Sequence, residues 1–117
     1  MDLREKIVSA DDITYGSVLI EEWDETIRVK SLSASDTEKL ERYQEKNKDR
    51  PDQDYMGYLA TLVIVDEDNK RVFDKPGDAK LLGSKSVSAL SKVLKAASEL
   101  NGELSMLGLQ EEDAAKN

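Results

Sequence analysis

The densest group of potential metal ligands in this 117-residue chain is Asp66-Glu67-Asp68-Asn69. The chemistry it invites is calcium coordination. An EF-hand loop needs Gly at its sixth position for the sharp turn and a bidentate Glu at its twelfth. Counted from Asp66, those positions hold Arg71 and Gly77, so both requirements fail. The stretch reads instead as a hairpin turn built from turn-forming residues. Phosphate cradles fare no better, since the chain has no Gly-x-Gly and no Gly-x-x-x-x-Gly-Lys. Ser84-Lys85 is not a Ser-x-x-Lys dyad, and no Ser in the chain has Lys three residues on. That pair reads as a helix start with a solvated Lys. There is no His and no Cys. The commonest general base and metal ligand is therefore missing, and Ser-His and Cys-His nucleophile pairs are impossible within one chain. No catalytic, cofactor-binding or metal-ligating residue is assigned, and no enzyme activity or cofactor is expected.

The composition bounds the partners. Net charge is −8, and the Lys and Arg residues are interspersed with acids. Phosphate backbones require clustered cations, so nucleic acid is not an expected partner. Acidity of this size keeps a protein soluble or steers it toward a basic partner. No run approaches the ~20 apolar residues of a membrane span, and no n-region and h-region mark a signal peptide. The expectation is a cytoplasmic protein with no membrane partner. With 38% hydrophobic residues, the core must be economical.

The elements follow from periodicity. Asp2-Leu3-Arg4-Glu5 has the pattern of a capped helix start, with Leu3 and Ile7 on one face. Asp11-Asp12 ends that segment. Ser17 to Trp23 reads as a strand and Asp24-Glu25 as a turn. Thr26-Ile27-Arg28-Val29-Lys30 then alternates as a half-buried antiparallel strand does. Ser35-Asp36-Thr37-Glu38 matches a capping box for a mostly polar surface helix holding Leu40 and Tyr43. Arg50-Pro51 limits it, and Asn47 to Asp54 reads as a loop. Tyr58 to Val65 is apolar apart from Thr61 and rich in β-branched residues, which favours a buried strand. A helix over Tyr55–Leu62 is the competing reading, because short apolar runs fit both. Val72 and Phe73 would pair back across Asp66–Lys70.

Pro76 opens a short turn to Leu82, and Gly83-Ser84 can break it. The main helix, Ser84–Leu100, places Val87, Leu90, Leu94, Ala97 and Leu100 at spacings of three and four, which makes them its core side. Val93 competes with Leu94 for one of these places. Ser84, Ser86, Ser88, Ser91 and Ser98 make either a solvent face or a surface that another chain can approach closely. Asn101-Gly102 suits a C-cap. Trp23, the only Trp, is a core anchor or an interface hot spot, and Phe73 joins it as a core or interface candidate. The architecture expected is α+β: a small antiparallel sheet of β-hairpins packed with a long C-terminal amphipathic helix and short accessory helices. Residues 1–102 would form one α+β domain, and residues 103–117 an acidic, flexible C-terminal tail.

The order of several short motifs carries a resemblance. Leu3-Arg4 with Ile7 and Ala10-Asp11-Asp12-Ile13 come first, then Glu22-Trp23 and a strand ending Val29-Lys30-Ser31-Leu32-Ser33. Val65-Asp66, Lys70-Arg71-Val72-Phe73, Lys85-Ser86 and Leu100-Asn101-Gly102 follow. In this order the chain resembles the tail assembly chaperones of long-tailed, siphovirus-type bacteriophages and prophages. It departs from them at Glu103, where members often carry Leu. The resemblance implies a non-enzymatic, self-associating protein that holds the phage tape-measure protein while the tail tube grows. It also implies a second, longer form made by ribosomal frameshifting, which meets the tail tube protein. Ala115-Lys116-Asn117 can be encoded with a run of adenines, a slippery arrangement for such a shift. Outside that class, a small tail or head-completion protein retained in the virion, or an unrelated bacterial interaction domain, remains open.

Overall fold

A computed structural model of the protein describes residues 2–48 and 54–101. Gly102, the tail expected over 103–117, and 49–53 of the expected loop lie outside the described residues. The fold is α+β, with a three-stranded antiparallel sheet and five α-helices among the described residues. The order is α1 (Leu3–Ser9), β1 (Tyr15–Ile20), β2 (Glu25–Lys30), α2 (Ala34–Lys46), α3 (Tyr55–Val63), β3 (Ile64–Val65), α4 (Asp78–Gly83) and α5 (Val87–Glu99).

The hairpin pairs Tyr15 with Lys30 through Ile20 with Glu25. Ile27, which is half-buried, and Val29, which is fully buried, share the inner face with Val18 and Ile20, as the alternation of β2 requires. The first strand is shorter than Ser17–Trp23. It ends at Ile20, and Glu21–Trp23 coil into a single 3-10 turn closed by Asp24 in the left-handed region (φ 49). Asp tolerates that conformation because its short side chain bonds locally. The tighter turn lets the chain reverse without Asn-Gly.

The buried strand expected over Tyr58–Val65 is instead helix over most of its length. Only Ile64 and Val65 extend, pairing with Val29 and Arg28. Leu59, Ala60, Thr61, Leu62 and Val63 are all buried. A helix covered on every side is apolar all round and shows no 3.6-residue stripe, which is why the run looked like a strand. Gly57 explains how close its cover comes. A Cβ there would stand 2.1 Å from the Ala79 carbonyl oxygen and 2.6 Å from the Gly83 nitrogen. Helices α3 and α4 therefore touch backbone to backbone.

The acidic run is a turn. Asp66 N–H donates to the Lys70 carbonyl (2.8 Å), and Asp66 Oδ1 accepts from the N–H groups of Asp68 (2.8 Å) and Lys70 (3.0 Å). Val72 and Phe73 do not form a strand: a single bridge joins Val65 to Arg71, and Val72 N–H reaches the Ile64 carbonyl at 3.3 Å. The Arg71 guanidinium turns back to bond Thr61 and the Phe73 carbonyl, so the segment is tied to the end of α3 rather than extended.

Helix α5 begins later than Ser84. Ser86 is its N-cap, accepting the Ala89 N–H at 3.0 Å. Its inner side is Ala89, Leu90, Val93, Leu94 and Ala97, all buried. Val87 was expected with them but is 70% exposed. It is the first helical residue, one turn before Leu90, where neither the sheet nor α3 covers it. Leu100 follows the last turn and lies half-buried against Gly16, where a Cβ would stand 3.4 Å from Leu100 Cδ2. Replacing Leu90 with Ala should destabilise the fold by roughly 2–5 kcal/mol, the cost of a buried cavity. Val87→Ala should change it by less than about 0.5 kcal/mol. Urea unfolding of both variants checks this contrast, and equal losses would place the core on the wrong side of α5.

Candidate functional site

Two of the candidate residues meet at the surface. Trp23, from the 3-10 turn, and Phe73, from the segment after the Asp66 turn, line an open groove of about 760 Å³. Ile27 from β2, Ile64 and Val65 of β3, Val72, and Leu82 from α4 complete its apolar lining. Sequence gave no sign of Val72 or Leu82 as neighbours of Trp23. They come together because β3 is only two residues long and covers Arg28 and Val29 alone. The rest of β2, Glu25 to Ile27, is left open on that side, and the groove lies beside it. Acids dominate the polar rim: Glu25, Asp66, Glu67 and Asp68 stand against Arg28 and Lys85. Arg28 is already engaged, donating from Nε to Asn69 Oδ1 at 2.7 Å and lying 4.9 Å over the Tyr15 ring.

Leu90, Leu94 and Ala97 do not reach this surface. They are buried inside the core, and Leu100 closes the opposite end of the sheet. Polar contacts pin α5 at both ends. At its start, Glu22 accepts from Ser88 Oγ at 2.7 Å and from Lys92 Nζ at 2.9 Å, which lowers its carboxyl to about 2. At its finish, Thr14 Oγ1 donates to the Leu100 carbonyl and Asn101 Oδ1 accepts the Leu32 N–H. Asn101 thus caps with its side chain, Nδ2 donating to the Ala97 carbonyl, and not through left-handed backbone.

A buried ion pair fixes α2. The capping box is formed by Ser33 and Asp36, two residues earlier than expected. Asp36 N–H donates to Ser33 Oγ, and Ser33 N–H to Asp36 Oδ2, each at 3.0 Å. The same Asp36 oxygen pairs with Lys30 Nζ from β2, and both side chains are nearly buried. Burial pushes the Asp36 carboxyl up, but the Lys30 ammonium and the Ser33 N–H outweigh it and hold it below its ordinary value.

Among the described residues no three acids, His or Cys cluster in a way that could hold a metal ion, and no helix is long and apolar enough to cross a membrane. What the surface offers is an apolar groove with a negative rim.

Comparison with solved structures gives the fold a relative. The tail assembly chaperone of bacteriophage HK97 superposes with a TM-score of 0.63 at 15% sequence identity, over 87% of this chain and 96% of that one. The chain has the fold of a phage tail assembly chaperone. No family model matches the chain, and no curated protein matches it by sequence.

Asp36 supplies a test of how this fold is held. Its folded pKa is depressed, so its stabilisation is present above its ordinary value of 3.8 and is lost as pH falls through the lower folded value. Asp36→Asn strands Lys30 and should cost roughly 3 kcal/mol at neutral pH. The gap from the wild type should close at pH values well below 3.8. Denaturant midpoints at both pH values decide it, and a constant gap would rule out the ion pair as the cause.

Proposed function

We propose that this chain is a phage tail assembly chaperone, acting without chemistry of its own. The observation that carries the reading is the shared fold, which spans nearly all of both chains. The motif order from Leu3-Arg4 to Leu100-Asn101 supports it independently. On this reading the chain works in the host cytoplasm, binds the tape-measure protein and keeps its long apolar helices from aggregating while tube subunits are added. Several copies coat one tape-measure chain, so self-association is part of the role. A longer, frameshifted form would meet the tail tube protein. An acid-rimmed apolar groove suits such work, because a helical partner with basic flanks offers the matching charge and an apolar face.

The test is co-expression with the very long helical protein encoded downstream in the source genome. The chain should co-purify with that protein and keep it soluble. Failure of capture, with the tape-measure protein insoluble in both the presence and the absence of the chain, would overturn the reading. Stoichiometric amounts of the chain in purified virions would point instead to a structural tail component. Reading the gene decides the frameshift: an AAG codon for Lys116, or no open −1 frame, eliminates it.

A further inference from the structure

Strand β1 is an edge of the sheet, since the order is β1-β2-β3 and β2 is its one partner among the described residues. Ser31 N–H donates to the Thr14 carbonyl at 2.8 Å, which fixes the alternation along the pair. With that period, Gly16, Val18 and Ile20 turn their backbone groups toward β2. Tyr15, Ser17 and Leu19 turn their N–H and C=O groups the other way, where no strand of the described residues meets them. Ser17 is exposed, and Leu19 is 56% exposed. Helix α1, which leads into this edge, buries none of its own residues against it.

Sheet edges are normally blunted. A Lys or Pro on the strand, a bulge, or an inward-pointing charge keeps other chains from pairing there. β1 has none of these. Its six residues pair with β2 in unbroken register, and none is charged or Pro, in a chain that is 36% charged. The charges stand just beyond its two ends. Asp11 and Asp12 precede it, Glu21 and Asp24 follow it, and all four are exposed. Glu22 follows as well but is taken up by Ser88 and Lys92. The cations of β2 are engaged elsewhere, Lys30 with Asp36 and Arg28 with Asn69. An uncharged row of backbone donors and acceptors therefore lies between two negative ends.

That bracket selects the occupant. The β1 strand of a second copy would bring acid against acid at both ends, in either the parallel or the antiparallel direction. Residues 104–110 of this chain are uncharged, but Glu103 and Glu111-Glu112-Asp113 flank them, so they meet the same repulsion. We propose that the β1 edge takes an extended peptide segment of another protein, uncharged and β-forming over the six-residue length of β1, with Lys or Arg at both ends. The segment adds to the sheet beside β1. Its backbone bonds Tyr15, Ser17 and Leu19, Leu19 gives it an apolar contact, and its terminal cations lie by Asp11-Asp12 and by Glu21. This surface is separate from the groove, and the inference does not rest on the chaperone reading.

Amide exchange followed by NMR reads the edge residue by residue. The probe is a synthetic peptide of alternating Thr and Val, as long as β1, with paired Lys at each end. A control peptide carries Glu in place of Lys. In the free chain the amides of Ser17 and Leu19 should exchange quickly and those of Val18 and Ile20 slowly. Saturating Lys-ended peptide should slow Ser17 and Leu19 at least about tenfold and leave Val18 and Ile20 unchanged. The Glu-ended peptide should bind at least about tenfold more weakly, and added salt should narrow that difference. Ser17→Pro removes one outward donor at a place where an edge strand tolerates Pro, and it should weaken binding by a similar factor. Circular dichroism checks that this variant is folded. Asp11→Lys combined with Asp12→Lys reverses one end without touching the strand, so it tests the charge even if Ser17→Pro does not fold. It should weaken binding of the Lys-ended peptide alone. Slow exchange of Ser17 and Leu19 in the free chain would mean that this chain or a copy of it already covers the edge. That result, no slowing by the Lys-ended peptide, or equal binding of the two peptides would each overturn the proposal.

Discussion

Burial of one helical stripe holds this protein together. The inner side of α5 packs on β1 and β2, on α3, and on the 3-10 turn around Trp23. With so few apolar residues in the chain, no other element reaches all of these. The hydrophobic stripe decides that α5 lies on the sheet, but it is non-directional and does not decide where along the sheet it stops. The polar pins do that. Glu22 holds Ser88 and Lys92 at one end, while Thr14 and Leu32 hold Leu100 and Asn101 at the other. The α2 end of the sheet is fixed in the same spirit by Lys30 and Asp36, where one carboxylate serves both a helix cap and a strand.

What was legible in the sequence is what periodicity encodes. The alternation of β2 and the three-four spacing of α5 each mark one buried face, and both elements formed where that pattern lay. Helix α3 hid for the converse reason. Covered by α2, α4 and α5, it has no exposed residue, with only Tyr55, Met56 and Tyr58 partly accessible, so no period survives to distinguish it from a strand. Gly57 was the trace that remained, since a glycine inside an apolar run marks a close backbone approach. The α2 cap was misplaced because two overlapping signatures compete. Ser35 and Glu38 fit the common form of the box better, yet Ser33 and Asp36 won through Lys30, a tertiary contact that no local pattern contains.

The groove was less legible than the core. Trp23 and Phe73 are far apart in the chain, and only the shortness of β3 brings them to one surface. A strand two residues long cannot be foreseen from an apolar run that mostly coils into helix. Leu90, Leu94 and Ala97 drew attention through their spacing, and that spacing is the mark of a core. Val87 shared the spacing but sits past the end of the packed layer. Periodicity names a face of a helix and says nothing of how far along the helix its neighbour extends.

The charge distribution constrains any assembly of this fold. Copies carrying −8 each repel one another across a broad surface, which disfavours loose aggregation. Contact between copies is then favourable only where apolar area and opposite charge coincide, so that local attraction exceeds the background. The acid rim of the groove deepens the repulsion for most surfaces of a second copy and relieves it for a cationic one. A basic, helical partner would be drawn to the same rim for the same reason. Its charge would also screen the copies bound along it from each other, so occupancy of one stretch lowers the cost of the next.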